Sequence, residues 1–231
     1  MASTKAPIEA FDFVKRFVKQ MPLETVQAEL LDSVNKILWM AAPWRWTVGT
    51  ISPITLASDT QDYTIASPPS DFLYLLHAYI SDGASAPRPL HIEPALPADV
   101  GVRGNPSAVT VTGSTLRVTP KPGTLPTSPL QKVFLYYKKT APVIQNSNAN
   151  TVGVQVFDDE WFWVYAHGVL WEAYMYADDQ RAGSAQVDAQ GRMGFTGQRA
   201  VFESAIELMR QREKIPEWTK RFASSAEDGR A

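Results

Sequence analysis

Ala108-Val109-Thr110-Val111-Thr112-Gly113-Ser114-Thr115-Leu116-Arg117-Val118-Thr119-Pro120 is the stretch whose reading decides the fold. On both sides of Gly113-Ser114, β-branched and apolar residues alternate with period two, which places every second side chain on one face of a strand. Gly-Ser fits a two-residue turn, so the stretch predicts a β-hairpin. Its surroundings repeat the pattern, with further strands predicted over 47–55, 61–66, 73–81, 88–93 and 132–140. Of the 17 prolines, 14 fall between Pro43 and Pro142. Proline removes a backbone donor and breaks helices, so this block cannot be a helix bundle. About seven short strands punctuated by Pro and Gly predict an antiparallel sandwich or barrel.

The period changes outside this block. Ile8, Phe11, Val14, Phe17, Val18 and Met21 recur at helical spacing, with Pro7 suited to a first turn. Pro22 opens a second run, Leu23, Val26, Leu30, Val34, Ile37, Leu38 and Ala41, that stops at Pro43. Beyond a polar connector at 146–151, a long helix is predicted over 157–182 and another over 195–214. The latter carries Phe202, Ala205, Ile206 and Met209 on one face. The Gly191, Gly194, Gly197 stretch reads as a turn between them, because no strand-helix context makes it a phosphate loop. The expected fold class is therefore α+β. A four-helix domain is formed by both ends of the chain (1–43 and 150–216), an antiparallel β-sandwich or barrel is inserted at 44–149, and a tail follows at 217–231.

Composition excludes several functions. The 231 residues carry 22 Lys+Arg against 24 Asp+Glu, a formal net charge of −2, which argues against a strongly basic nucleic-acid binder. With no cysteine and three histidines, at 77, 91 and 167, there is no disulfide framework, thiol nucleophile or Cys-ligated zinc site. The N-terminus has charges among its apolar residues, unlike a signal peptide, and no apolar run is long enough to span a bilayer. No catalytic motif, metal site or cofactor site is expected. Six carboxylates (Asp158, Asp159, Glu160, Glu172, Asp178, Asp179) and no Lys or Arg lie between 157 and 179. The first three suit a helix N-terminus; the other reading is a metal site or an acidic wall facing DNA. His167 reads as a buried or interface histidine. The Lys138-Lys139 and Lys220-Arg221 pairs read as solvated charges, or as contacts to a partner's acids or nucleic-acid phosphates.

The aromatic residues say more. Trp161, Trp163, Trp171 and Tyr174, with Phe157, Phe162, Tyr165 and Tyr176, cover much of one helix. A helix apolar all round is buried on more than one side, so it is either central to one subunit or packed against a neighbour. Aromatic enrichment at interface cores favours association of copies. Trp218 and Phe222 in the tail are four apart, an anchor for another chain with Lys220 and Arg221 beside them.

Several segments in series resemble the head-to-tail adaptor (connector) proteins of tailed bacteriophages. They are an aromatic corner (Ile37-Leu38-Trp39-Met40-Ala41-Ala42-Pro43-Trp44-Arg45-Trp46), a Tyr strand (Gln61-Asp62-Tyr63-Thr64-Ile65) and a Pro-x-Asp-aromatic step (Pro69-Ser70-Asp71-Phe72-Leu73). After these come Arg88-Pro89-Leu90, the strand end Leu116-Arg117-Val118-Thr119-Pro120-Lys121-Pro122 and the Tyr-Tyr strand Phe134-Leu135-Tyr136-Tyr137-Lys138-Lys139-Thr140-Ala141-Pro142. The helix with Leu170-Trp171-Glu172-Ala173-Tyr174-Met175-Tyr176-Ala177-Asp178-Asp179 closes the series. The Pro-rich stretch 120–129 and the Trp-heavy start of the third helix are this chain's departures.

The resemblance implies a non-enzymatic virion protein of the neck, made in the host cytoplasm. It implies a homo-oligomeric ring, usually of twelve copies, under the portal protein and above a tail or nozzle protein. Double-stranded DNA passes through its hole without being read. The tail residues Trp218, Lys220, Arg221 and Phe222 would dock on the portal or an adjacent subunit, and the six carboxylates would contribute to the channel wall. Two other classes remain open at this point. One is a carbohydrate- or receptor-binding β module, with Trp44 and Trp46 as an exposed sugar platform. The other is a hydrolase joining Asp158, Asp159 and Glu160 to His167.

Overall fold

A computed structural model describes residues 4–19, 23–96, 102–125, 129–154, 158–187, 191 and 193–213. The chain divides into two compact units, one drawn from Met1–Thr47 with Ala141–Ile215, the other built on Val48–Thr140.

Four α-helices make the first unit: α1 Pro7–Val14, α2 Gln27–Ala41, α3 Phe162–Tyr176 and α4 Gly197–Arg212. Pro7 sits in the first turn of α1, where its missing N–H costs nothing, and the Glu9 carboxylate accepts a hydrogen bond from the Ala6 N–H at 3.0 Å. α3 is shorter than its sequence pattern. The Asp159–Trp161 turn before it is 3₁₀, and beyond it Asp178 takes φ 51°, a left-handed conformation that ends the helix. α3 is the central helix of the unit, packed by α1, α2 and α4. Val164, Tyr165, Val169, Leu170 and Ala173 are buried. The buried Tyr165 hydroxyl donates to the Leu31 carbonyl at 2.8 Å, and burial pushes its pKa well up.

Two segments depart from the sequence expectation. Residues 141–149 are part of the helical core: Ile144 and Ala149 are buried, the Ile8 N–H donates to the Ala149 carbonyl at 3.0 Å, and the Ile144 N–H donates to Asp32 at 2.8 Å. The Gly-rich stretch before α4 forms a hairpin, Ala185–Val187 paired with Met193–Phe195. Gly183 and Gly197 lie back to back at its base with φ of 83° and 61°. A Cβ on Gly183 would stand 1.8 Å from the Thr196 carbonyl oxygen, and one on Gly197 would stand 2.7 Å from the Arg181 carbonyl oxygen. Both the dihedral and the space exclude a side chain, so Gly183→Ala is expected to lower stability by about 2 kcal/mol or more. A thermal melt of that variant unchanged from the parent would contradict this packing.

The second unit contains β1 Val48–Thr55, β2 Asp62–Thr64, β3 Phe72–Ser81, β4 Arg88–Pro89, β5 His91–Ile92, β6 Arg103–Gly104, β7 Ala108–Thr112, β8 Thr115–Thr119, β9 Lys121–Pro122 and β10 Lys132–Lys139. Two four-stranded sheets run β1-β10-β3-β4 and β2-β8-β7-β5. Most pairs are antiparallel, as expected from the alternating pattern, but β5–β7 and β6–β9 are parallel. The β7–β8 hairpin has Thr112 opposite Thr115 across Gly113-Ser114, with Gly113 at φ 59°. Ile51, Ala78, Val133 and Leu135 of one sheet and Val109, Leu116 and Val118 of the other join one apolar cluster. Neither sheet closes into a barrel among the described residues, which removes that half of the expectation. The fold is thus mixed α+β, with four helices and several antiparallel sheets.

The Lys138-Lys139 pair is not simply solvated. Lys138 lies on β10 at 1 % exposure, and burial alone pushes its amine down to about 7.

Candidate docking surface

The start of α3 is held by a polar frame. Arg45 donates to Asp158 and lies 3.5 Å from Glu213, whose other carboxylate oxygen accepts from the Trp161 indole at 2.6 Å. Arg212 lies 3.8 Å from Glu160. Asp159 accepts from the Thr4 hydroxyl and, at 2.9 Å, from the Thr4 N–H. Acidic residues suit this helix start through the helix dipole, and here each has a definite local donor or cation.

The rest of the predicted carboxylates are spread along α3 and past its end. Glu172 accepts from the Ser33 hydroxyl at 3.0 Å, Asp178 is exposed, and Asp179 is clamped by Arg181 at 2.6 Å, which holds its pKa below the usual carboxylate value. The structure therefore gathers Asp158, Asp159 and Glu160 at one end of α3 and Asp178 and Asp179 at the other. Among the described residues no three His, Cys, Asp or Glu side chains gather as a metal site.

Three of the four aromatic residues singled out are used inside the subunit. Trp161 and Tyr174 are buried, the latter under the Arg181 guanidinium at 4.5 Å. Trp171 stacks on Phe202 at 5.7 Å, and Arg199 covers its other face at 5.4 Å. Trp163 is different: it is 40 % exposed. The aromatic ring of α3 thus marks a central helix first, and leaves one indole outside. Trp218, Lys220, Arg221 and Phe222 lie outside the described residues.

Beside Trp163 a groove of about 320 Å³ opens between α1 and α3. Phe13, Phe162, Trp163, Ala166 and His167 line it, with Lys5 and Asp159 at its polar rim. The His167 ring meets Phe13 and Trp163 edge-on at 5.7 and 6.0 Å, and burial lowers its pKa. Its Nδ1 accepts a hydrogen bond from the Gln198 amide at 2.8 Å, which leaves the other ring nitrogen to carry the proton. Lys5 is bound to Glu9 at 2.9 Å. The groove is mainly apolar, with charges only at its edge, a surface suited to a protein side chain rather than to acid–base chemistry. Sequence reasoning did not find it, because no spacing rule joins Phe13 to Trp163.

The corner at Pro43 decides another expectation. Trp44 is 1 % exposed, and its indole donates to the Leu38 carbonyl at 2.6 Å. Trp46 stacks on it at 5.7 Å with 17° between the planes. A ring buried on this scale cannot serve as a sugar platform, so that reading falls. No helix of the described residues is long and apolar enough to cross a membrane.

No curated protein matches the chain. The model of the SU10 adaptor protein family matches it over residues 19–223, which takes in both units. That span begins just after α1 and runs beyond α4, and includes the corner, the two sheets and the central helix in one continuous match. The chain belongs to the SU10 adaptor protein family of phage head-to-tail adaptors.

Proposed function

We propose that the chain works as a ring, of twelve copies as is usual for such adaptors, beneath the portal of the capsid. It joins head to tail and encloses the DNA exit channel. Its work is structural, without catalysis or a cofactor. The family match over residues 19–223 is the observation that carries this reading. The helical unit packs on the portal and on neighbouring copies; the β unit, read as a face-to-face sandwich, faces outward or toward a tail or nozzle protein. The tail residues Trp218, Lys220, Arg221 and Phe222 dock on the portal or a neighbour.

The channel should let DNA slide. Each Lys or Arg on a phosphate adds a salt-dependent attraction that retards movement, so a wall of negative or balanced charge suits the task. A net charge of −2 agrees with this. Of the six carboxylates, Glu172 and Asp178 have no ion-pair partner among the described residues and keep the most charge for such a wall; the frame around Asp158 and Glu160 is largely balanced by Arg45 and Arg212.

The test is the mass of the purified chain, alone and mixed with portal rings. The expected result is a portal complex carrying many 25.6 kDa subunits. Failure to bind any portal, or a map of the intact particle with the chain away from the neck, would overturn the proposal.

A further inference from the structure

The geometry points to the α1/α3 groove of each copy as the seat for residues 216–222 of the adjacent copy, Pro216-Glu217-Trp218-Thr219-Lys220-Arg221-Phe222. This rests on the ring reading above and names the contact that closes the ring. Three observations carry it.

The first is the groove itself. Trp163 at 40 % and Phe17 at 44 % exposure extend its apolar lining onto the surface, and Phe17 packs on Phe13 at 5.0 Å. Interface hot spots are aromatic anchors set in such pockets.

The second is where the chain leaves α4. Arg212 and Glu213 are bound to Glu160 and Trp161. At 100° per residue, Trp161 and Trp163 point about 200° apart around α3, so the chain departs on the flank opposite the groove. Its own continuation would have to round the start of α3, where Arg45–Asp158 and Thr4–Asp159 stand. A donor on one flank and an acceptor on the other is the arrangement of a heterologous contact, which generates a ring when the rotation closes.

The third is complementarity. Trp218 and Phe222 are two rings four residues apart, matching an apolar cleft, and Glu217, Lys220 and Arg221 carry charges of both signs to a rim holding Lys5 and Asp159.

Two full-length variants test this: Trp163→Asp, which blocks the acceptor, and Trp218→Ala with Phe222→Ala, which removes the donor. Circular dichroism checks that each folds. Sedimentation, alone and on portal rings, is expected to show at least a tenfold loss of multimers for each, and no further loss when all three changes are combined. The chain has no cysteine, so a Lys5→Cys and Glu217→Cys pair offers a second readout. A short bismaleimide should then give a ladder of covalent multimers from the pair and none from either single change. If the parent chain assembles but both variants assemble equally well and no ladder forms, the seat is elsewhere and the ring reading stands. An internally cross-linked monomer in place of the ladder would show the chain's own tail in its own groove and overturn the inference. If the parent assembles neither alone nor on the portal, the ring reading fails and the inference with it.

Discussion

Gly168→Val is expected to unfold the helical unit or to reduce it to a loosely packed state. Gly168 lies in the middle of α3 at the point where that helix meets two others. A Cβ there would stand 2.5 Å from Val34 Cγ1 of α2 and 2.6 Å from Phe202 Cε2 of α4. Neither neighbour has room to retreat: Val34 and Phe202 are both fully buried, and Phe202 is held against Trp171. In an exposed helix, alanine would be favoured over glycine by about 1 kcal/mol. Here the overlap outweighs that gain, because inserting carbon into a filled core costs typically 1–3 kcal/mol and two side chains must move at once. Gly168→Ala should therefore lose about 1–2 kcal/mol net, and valine more, with two further branches in the same contact. For a chain of this length each kcal/mol moves the melting temperature by roughly 2–4 °C. Thermal melts followed in the far ultraviolet measure both variants. Adding Phe202→Leu to Gly168→Ala should recover part of the loss, since it empties the space the new methyl needs. A Gly168→Ala protein as stable as the parent would mean that the three helices are not in this contact.

The sequence displayed some of this and hid the rest, for physical reasons. The β7–β8 hairpin was legible because its turn chemistry and its period-two pattern are local. The existence of four helices was legible from their 3.6-residue period, and proline marked off the β block between them. Their ends were not: α3 stops at a left-handed Asp178, a conformation that few local signals announce. The hairpin before α4 was read as a turn, since strands of three residues with a glycine inside carry almost no period. Residues 141–149 looked like a connector because polarity was visible, while the bonds that tie them to α1 and α2 join positions more than 100 apart. For the candidate surface, composition identified the aromatic helix correctly as buried on several sides. Only the fold could assign Trp161, Trp171 and Tyr174 to the interior and Trp163 to the groove, because α3 is covered all round at its C-terminal half and open on one flank near its start. The acidic residues were visible; the arginines that neutralise them, Arg45, Arg181 and Arg212, were scattered through the chain.

Lys138→Met should raise the stability of the β unit at pH 6 by a few kcal/mol and leave it almost unchanged at high pH. Lys138 sits near the end of β10, which pairs with β1 on one side and β3 on the other. Its side chain is fully buried, and loss of hydration pushes the amine from 10.5 down to about 7. The unfolded chain keeps its proton up to the ordinary lysine range, whereas the folded chain releases it near 7. Between those values the unfolded state binds more protons, so stability must rise with pH across this window. Below 7 both states are charged, and the cost of holding an ammonium group in the interior is fully present. Each pH unit of the window corresponds to about 1.4 kcal/mol, and relaxation of the site brings the total to a few kcal/mol. Methionine has a similar length and no charge to bury, so it removes the penalty and with it the slope. Urea titrations at pH 6, 7.5 and 9 are the measurement, read as the difference between parent and variant. The range stops at 9 because the buried tyrosines Tyr63, Tyr137 and Tyr165, all with raised pKa, destabilise the folded chain once unfolded tyrosine ionises near 10. A difference that stays constant from pH 6 to 9 would show that Lys138 keeps its proton in the fold, held by a partner strong enough to offset its burial.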